Sequence, residues 1–476
     1  MFPRFASILL FTLCTAFAVA QPADFPWAPA LVTGADRAAL AEIASLGTDI
    51  DAVTADGVRV YVTQAEFDAL AARGHAIHWI PDEATESWYR ITAEAEKTGA
   101  DKLAYHSYAE MTAQLQAYAA QYPSICSLTS IGKSVQNRDL WVLTISDNPG
   151  VPEDEPGFKY ISSIHGNEIV GMEVMLDLIQ RLLEGYGTDA RLTTLVDETE
   201  IHILPLMNPD GWEASPASRY NANNVDMNRS FPSWSCGEAD STVGREPEIA
   251  AVMNWDATFQ ATLSANFHGG AMVANYPYDE CGLCADYTCN ESLTDDDDVL
   301  RAVSKAYSLA HGRMATSGGF TDGITNGVAW YALYGGMQDW NFIWRGCMEI
   351  TIELDAEKIP STSRLPSLIS ENREPTLAFM EWVHRGVRGI VTDAATGTPI
   401  KATVRVQGRD FDTYTDLPVG DYHRILPPGT YTLEVTADGY VPATLPDIVV
   451  TDGSATRADV ALQSTASVSG SGWKVY

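Results

Sequence analysis

The stretch that most restricts what this chain can become is Tyr160-Ile-Ser-Ser-Ile-His-Gly-Asn-Glu-Ile-Val-Gly171. An apolar run ends in His165, turns through Gly166 and Asn167, and reaches Glu168 as a helical pattern begins. At a strand-to-helix junction, the i, i+3 spacing lets an imidazole nitrogen and a carboxylate oxygen meet at one point, as half of a metal site needs. Alone the pattern is weak, because Glu168 would equally suit the positive N-terminus of a helix.

The surrounding rhythm supports the junction. Apolar, strand-like runs at 140–145, 158–164, 201–205, 262–267 and 348–354 alternate with amphipathic stretches at 108–122, 170–184 and 299–315. That alternation predicts an α/β domain over 100–385, with a mixed, mainly parallel sheet flanked by helices. Near 386 the pattern changes to short alternating strands at 387–391, 402–407, 430–435 and 447–450, broken by Gly, Pro and Asp turns. Residues 386–463 therefore predict a small all-β sandwich, followed by a flexible Ser/Gly-rich tail at 464–476. Ahead of the main domain, residues 21–99 predict a small α/β unit. A helix at 37–45 and a strand at 58–62 lead to the capping box Thr63-Gln-Ala-Glu66, a helix at 67–73, a strand at 77–80 and a helix-rich linker. No chemistry is visible in this unit; it reads as a pro-segment, a docking domain or a structural module.

A chain of 476 residues is long enough for two or three cores. Residues 1–20 have the form of a signal peptide: Arg4, an apolar segment, then Ala18-Val19-Ala20. No later segment holds the roughly 18 apolar residues that a membrane span needs. The expectation is a secreted or periplasmic protein. Losing Arg4 with the leader takes the net charge from −33 to −34, which disfavours nucleic acid and anionic membranes and favours solubility or cationic partners. Cys14 leaves with the leader; Cys126, Cys236, Cys281, Cys284, Cys289 and Cys347 remain. An even number in an exported chain predicts disulfides, with 15 possible pairings, although Cys281-Gly-Leu-Cys284 followed by Cys289 could also hold a metal.

A second histidine, in Ser264-Ala-Asn-Phe-His268-Gly-Gly270, also ends an apolar strand. Two histidines and a glutamate form the three-ligand set of an open catalytic zinc, and two strand ends at one sheet edge are where α/β sites form. There is no His-Glu-x-x-His, and His106, His202, His311, His384 and His423 have no comparable setting. A metal-activated water needs a base. Glu349 and Glu353 lie on one face of the run 348–354, where a carboxylate without a partner would be costly. Glu353 is the candidate base; Glu349 is expected to pair with a neighbouring arginine.

Together these segments resemble the zinc carboxypeptidase family, in its branch related to carboxypeptidases N, E and D. The likeness runs from about residue 105 to about 462. It is carried by His165-Gly-Asn-Glu168, Leu204-Pro-Leu-Met-Asn-Pro-Asp-Gly-Trp-Glu213, Val225-Asp-Met-Asn-Arg229-Ser-Phe-Pro232 and His268-Gly-Gly-Ala-Met-Val-Ala-Asn-Tyr-Pro-Tyr-Asp279. Asn326-Gly-Val-Ala-Trp-Tyr331, Gly335-Gly-Met-Gln-Asp-Trp340 and Glu349-Ile-Thr-Ile-Glu353-Leu extend it. The resemblance implies one zinc ion on His165, Glu168 and His268, with Asp226 orienting a histidine ligand. It implies Glu353 as general base and proton shuttle. Arg229, Asn228 and Tyr331 would hold the substrate's terminal carboxylate, and Arg219 the scissile carbonyl. Asp279, eleven residues after His268, with Gln338 would favour a C-terminal Arg or Lys. The domain from 386 resembles the transthyretin-like domain of this branch, most clearly at Gly420-Asp-Tyr-His-Arg-Ile-Leu-Pro-Pro-Gly-Thr-Tyr431.

Asn224 departs from the pattern where a glycine is expected, with little consequence, since asparagine tolerates a left-handed turn. The cysteine-bearing loop 281–289 is foreign to the shared pattern. The implied partners are C-termini of peptides or proteins, basic ones first. A cell-wall peptide carboxypeptidase and a non-catalytic peptide-binding module on the same scaffold are the rival readings.

Overall fold

The computed structural model describes residues 27–98, 105–409 and 411–465. The leader read at 1–20 and most of the predicted tail lie outside the described residues.

The N-terminal unit comprises β1 (Ala28–Thr33), α1 (Arg37–Ser45), β2 (Asp49–Thr54), β3 (Gly57–Val62), α2 (Gln64–Ala72), β4 (Ala76–Trp79) and α3 (Glu83–Thr98). Its strands form an antiparallel sheet in the order β2-β3-β1-β4. Val58, Val60 and Val62 alternate inward with Ala28, Ala30 and Val32 beneath Leu40 and Ile43. The capping box of Thr63 and Glu66 starts α2 as its sequence predicts. β1 and β2 are additions to the sequence reading. The same core continues into Val273, Trp330, Tyr331 and Leu333 of the next domain.

The central domain runs through α4 (Tyr108–Gln121), β5 (Cys126–Lys133), β6 (Asp139–Ile145), β7 (Gly157–Ser162), α5 (Val170–Gly185), α6 (Ala190–Asp197), β8 (Glu200–Leu204), α7 (Pro209–Trp212) and α8 (Pro247–Asp256). It continues through β9 (Ala261–His268), β10 (Ala271–Tyr276), α9 (Asp297–Ala310), α10 (Met314–Ser317), β11 (Ile324–Asn326), α11 (Gly327–Trp330), α12 (Met337–Arg345), β12 (Met348–Asp355) and α13 (Leu365–Met380). One eight-stranded sheet, β11-β10-β12-β9-β7-β8-β6-β5, holds it together, and four of its seven pairings are parallel. β7, β9 and β12 are buried along their whole length, which is why they read as continuous apolar runs. The parallel register β7–β9–β12 brings the ends of these three strands to one edge, with Glu353 directly opposite His268.

The C-terminal domain packs two small sheets around Val387, Val391, Val404, Leu433 and Val435. One holds β13 (Gly386–Asp393), β16 (Asp421–Arg424), β19 (Ala455–Arg457) and β20 (Val460–Leu462). The other holds β14 (Thr403–Val406), β15 (Asp412–Tyr414), β17 (Gly429–Thr436) and β18 (Ala443–Val450).

Two disulfides form, Cys236–Cys284 and Cys281–Cys289, so the Cys-x-x-Cys stretch is a cross-linked loop and not a metal knuckle. Cys126 and Cys347 stay free and buried, against the expectation from an even count. They begin β5 and precede β12, which stand five places apart in the sheet; at the usual strand spacing that is roughly 24 Å, far beyond disulfide reach.

Candidate active site

The site begins where β7 ends. α5 packs so closely behind it that a Cβ on Gly171 would lie 2.1 Å from Ser162 Oγ and 2.8 Å from Phe267 Cβ. Only glycine permits this approach, and it fixes the loop 163–169 over the sheet edge. His165, Glu168 and His268 are each at most 4% exposed. Glu168 Oε2 lies 3.0 Å from His165 Nδ1 and 2.9 Å from His268 Nδ1, and the two nitrogens are 3.1 Å apart. Three lone-pair donors thus converge. Ligands on a tetrahedral zinc, with bonds of about 2.0–2.1 Å, would sit about 3.3 Å from one another, so the donor set and its spacing fit the ion. Burial drives the His268 pKa down to about 4 against the pull of Glu168, leaving the neutral imidazole that a metal requires. Of two other carboxylate-containing groups among the described residues, neither is fully buried.

The other nitrogen of His165 is already in use. Its Nε2 lies 3.0 Å from Asp226 Oδ1, and Asp226 Oδ2 accepts from Arg219 Nη2 at 2.8 Å and Nε at 3.1 Å. Burial would raise the Asp226 carboxyl, but Arg219 and His165 hold it well below the usual range. Asp226 therefore stays charged and fixes the His165 ring. Asn224 before it adopts φ of 61°, the left-handed turn anticipated for it.

Glu353 faces the ligands from β12. It is 9% exposed and its Oε2, though buried, has no hydrogen-bond partner among the described residues. Burial and the Glu168 charge push its pKa well above the usual carboxylate range, despite Lys358 nearby. Glu349 behaves otherwise: Ser264 Oγ (2.5 Å), Asn266 Nδ2 (3.0 Å) and Asn341 Nδ2 (2.7 Å) donate to it, and the nearby cation is Lys159. The arginine partner expected from sequence is not the one the fold supplies, because the register sets Glu349 against Ser264 and α12 delivers Asn341.

One cavity of about 20 Å³ is walled by His165, Glu168, His268, Glu353, Arg219, Asn228, Arg229, Tyr331 and Asp279, every predicted site residue but one. The exception, Gln338, lies behind the wall: its Nε2 donates to Asn275 Oδ1 at 3.3 Å, and Asn275 Nδ2 donates to Asp279 Oδ1 at 3.3 Å. Asp279 is buried, and a Cβ on Gly327 would fall 2.0 Å from its Oδ1, so a glycine makes room for the carboxylate. Burial, with Glu280 alongside, moves the Asp279 pKa up to about 7 although Arg229 opposes. The cysteine loop is tied to this corner, since Cys281 follows Asp279 and Glu280 directly.

Sequence reasoning missed Asn275, Thr351 and Trp330, which also line the cavity, and Asp51, which reaches it from the N-terminal unit. It also missed Lys358, whose Nζ is 3.1 Å from Glu168 Oε1. A signal for Asp51 existed: Asp49-Ile-Asp51-Ala opens an otherwise apolar strand, the same anomaly that singled out Glu353. Lys358 gave none.

Against known families, residues 111–375 match the zinc carboxypeptidase profile, more than half of the chain, and residues 386–463 match the carboxypeptidase regulatory-like domain. The chain belongs to the zinc carboxypeptidase family. It is 44% identical over 370 residues to human carboxypeptidase D, covering 74% of this chain and 26% of that protein. It is 39% identical over 388 residues to the human carboxypeptidase N catalytic chain, 74% of this chain and 83% of that one. The chain thus spans about a quarter of carboxypeptidase D and most of the carboxypeptidase N chain. Among solved structures, carboxypeptidase A from Helicoverpa armigera shares the fold with a TM-score of 0.60 at 20% identity, covering 74% of this chain and 96% of that one. Thrombin activatable fibrinolysis inhibitor gives 0.54 at 17% identity, over 75% and 98%. Family membership and the ligand triad agree on zinc as the cofactor, and the C-terminal sandwich is the transthyretin-like domain.

Proposed function

We propose that this protein is an exported zinc carboxypeptidase that removes C-terminal Arg or Lys from peptides and proteins. When bound, the metal supplies Lewis acidity at the point where His165, Glu168 and His268 converge. Glu353, which shares the cavity wall with the ligands and whose buried Oε2 has no hydrogen-bond partner among the described residues, takes a proton from the attacking water and passes it to the departing amine. Arg229, with Asn228 and Tyr331, receives the terminal carboxylate as a fixed fork of donors. Arg219, held rigid by Asp226, faces the oxyanion that forms at the scissile carbonyl, where a pre-oriented cation is worth most.

The observation that carries the basic preference is Asp279: a buried carboxylate sharing the cavity wall with the ligands and forming no ion pair among the described residues, Arg229 acting on it only from a distance. An arginine or lysine side chain would complete it, and Phe or Glu would leave it desolvated. The complete ligand set and the intact Glu353 speak against a non-catalytic module. Export accords with two disulfides on the rim; among the described residues no helix is long and apolar enough to cross a membrane.

A panel of blocked dipeptides ending in Arg, Lys, Phe and Glu, with and without chelator, tests the reading. Arg and Lys substrates should lead and lose turnover on chelation. Preference for Phe or Glu would remove the specificity while leaving the chemistry. Tight binding of an Arg-ending peptide with no turnover of any substrate in zinc would remove the chemistry. Faster release from muropeptides than from Arg-ending dipeptides would favour a cell-wall role.

A further inference from the structure

Three carboxyl groups gather at the specificity corner. Asp279, Glu280 and Asp339 are each at most 3% exposed, and none forms an ion pair among the described residues. Burial, then the neighbouring Asp279 and Glu280, push the Asp339 pKa well above the usual carboxylate range. Stability alone disfavours such a grouping, because a buried carboxyl without a cation is costly. Glu280 is satisfied where it stands. Ser233 Oγ (2.8 Å), Ser235 N (3.0 Å) and Ser235 Oγ (2.7 Å) donate to its Oε2, and Gly335 N donates to its Oε1 at 3.1 Å. Asp339 is used differently.

Asp339 is the third residue of α12, where an acidic side chain ordinarily does no more than suit the helix's positive end. Here its carboxylate serves another segment. The Asp279 amide donates to both of its oxygens, each at 3.0 Å, and the Glu280 amide (3.0 Å) and Trp234 Nε1 (3.3 Å) donate to Oδ2. The same helical turn grips the pocket twice more. Met337 N donates to Asn228 Oδ1 at 3.0 Å, and Gln338 reaches the Asp279 side chain through Asn275. Asp279 needs such support. It lies beyond the end of β10, outside the sheet ladder that sets Glu353 against His268. Leu333 N holds its carbonyl at 3.0 Å, and its amide is left to Asp339.

We propose that Asp339 is a positioning residue for substrate selection: by accepting the amides of Asp279 and Glu280, it sets how far the Asp279 carboxylate reaches into the cavity, and so how well a basic C-terminal side chain is held. This rests on the specificity assigned above to Asp279. Asp339 is not among the residues that wall the cavity, so it acts through Asp279. A charged hydrogen bond depends steeply on distance and angle, and a displacement of about 1 Å is enough to forfeit most of it. The loss falls on the binding of Arg and Lys. The zinc chemistry is spared, because the register of β9 and β12 holds His268 and Glu353 independently of this turn.

The zinc-loaded full chain is compared with Asp339→Asn, which sets an amide donor against the loop amides, and with Asp339→Ser, which draws the acceptor out of reach. Asp279→Asn and the double variant Asp279→Asn/Asp339→Asn complete the set, and folding of each is checked by circular dichroism and Tm. KM and kcat are measured on blocked dipeptides ending in Arg, Lys and Phe. Both Asp339 variants should raise KM for Arg and Lys at least tenfold with kcat within twofold, and leave both constants for Phe within twofold. The double variant should be no worse on Arg than Asp279→Asn alone, because two changes acting through one group do not add. Equal losses on Arg and Phe, or losses that add to those of Asp279→Asn, make Asp339 a residue of the fold and overturn the positioning role. Failure of both Asp339 variants to fold does the same. A full loss in Asp279→Asn beside silent, folded Asp339 variants overturns the positioning role alone. Asp279→Asn with Arg kinetics unchanged removes the specificity reading, and the positioning role with it.

Discussion

Both smaller units are fastened to the central domain by buried arginine–carboxylate pairs, but they engage different arginines. At the sandwich, Arg424 Nη2 lies 2.7 Å from both oxygens of Asp296, both side chains fully buried, and Arg409 Nη1 adds a contact to Asp296 at 3.2 Å. Phe342 and Phe411 pack beside it with centroids 4.5 Å apart. None of these residues lines the active cavity, so the contact is free to be permanent. At the N-terminal unit the pairs fall on Arg219, Arg229 and Lys358, groups that the proposed chemistry needs uncovered. An ion pair between idle groups only fastens; one made from the groups assigned to the substrate also occupies them.

The comparison can be broken at several points. The largest effect is expected from Glu353→Gln, which should lower kcat by about 10³-fold, within the usual range for losing a general base, while peptide binding survives. Stopped assays on the zinc-loaded chain should show this loss, and a smaller one would mean another group moves the proton. Next, Arg424→Ala leaves buried Asp296 with only the longer Arg409 contact and should cost up to about 3–5 kcal/mol of stability, read by denaturant titration. Kinetic constants of the folded fraction should not move; a change in KM would mean the sandwich is not merely structural. Asp279→Asn should cost Arg and Lys substrates about 10–150-fold in kcat/KM, the worth of a hydrogen bond to a charged group of about 1.5–3 kcal/mol, with Phe substrates unaffected or improved.

The smallest effect concerns pH. Because the Asp279 pKa is raised to about 7, the ligand-free carboxyl carries a proton below that value and is charged above it. Only the charged form attracts a basic side chain, so affinity should weaken as pH falls. Between pH 8 and 6 the ionised fraction drops by about tenfold. Kd for an Arg-ending peptide in the Glu353→Gln protein should follow it, and that for a Phe-ending peptide should stay flat. Parallel curves for the two peptides would place the titrating group elsewhere.

Much of the scaffold was legible because its signals are local. Buried parallel strands such as β7, β9 and β12 announce themselves as unbroken apolar runs, and the capping box at Thr63 starts a helix where four residues dictate it. β1 and the edge strand β2 were missed; in β2, Asp49 and Asp51 break the apolar run, and the bulge breaks the alternation. Disulfide pairing was beyond the sequence, since it depends on which loops fold together, and it left Cys126 and Cys347 apart. Gln338 was assigned to the pocket wall but stands one residue behind it, a depth that period and spacing do not encode.

The sequence by itself determined the zinc ligands, the candidate base and the α/β frame. Each depends on a residue's place at the end of a strand or the start of a helix, and such positions leave a periodic trace. The tertiary structure alone decided what surrounds them: that Asn266, Asn341 and Ser264 satisfy Glu349, that Lys358 stands beside Glu168, and that Asp51 meets Arg219 across 168 residues of chain. Those contacts are set by sheet register and by domain packing, where an acidic residue destined for solvent and one destined for an active site look alike until the chain closes.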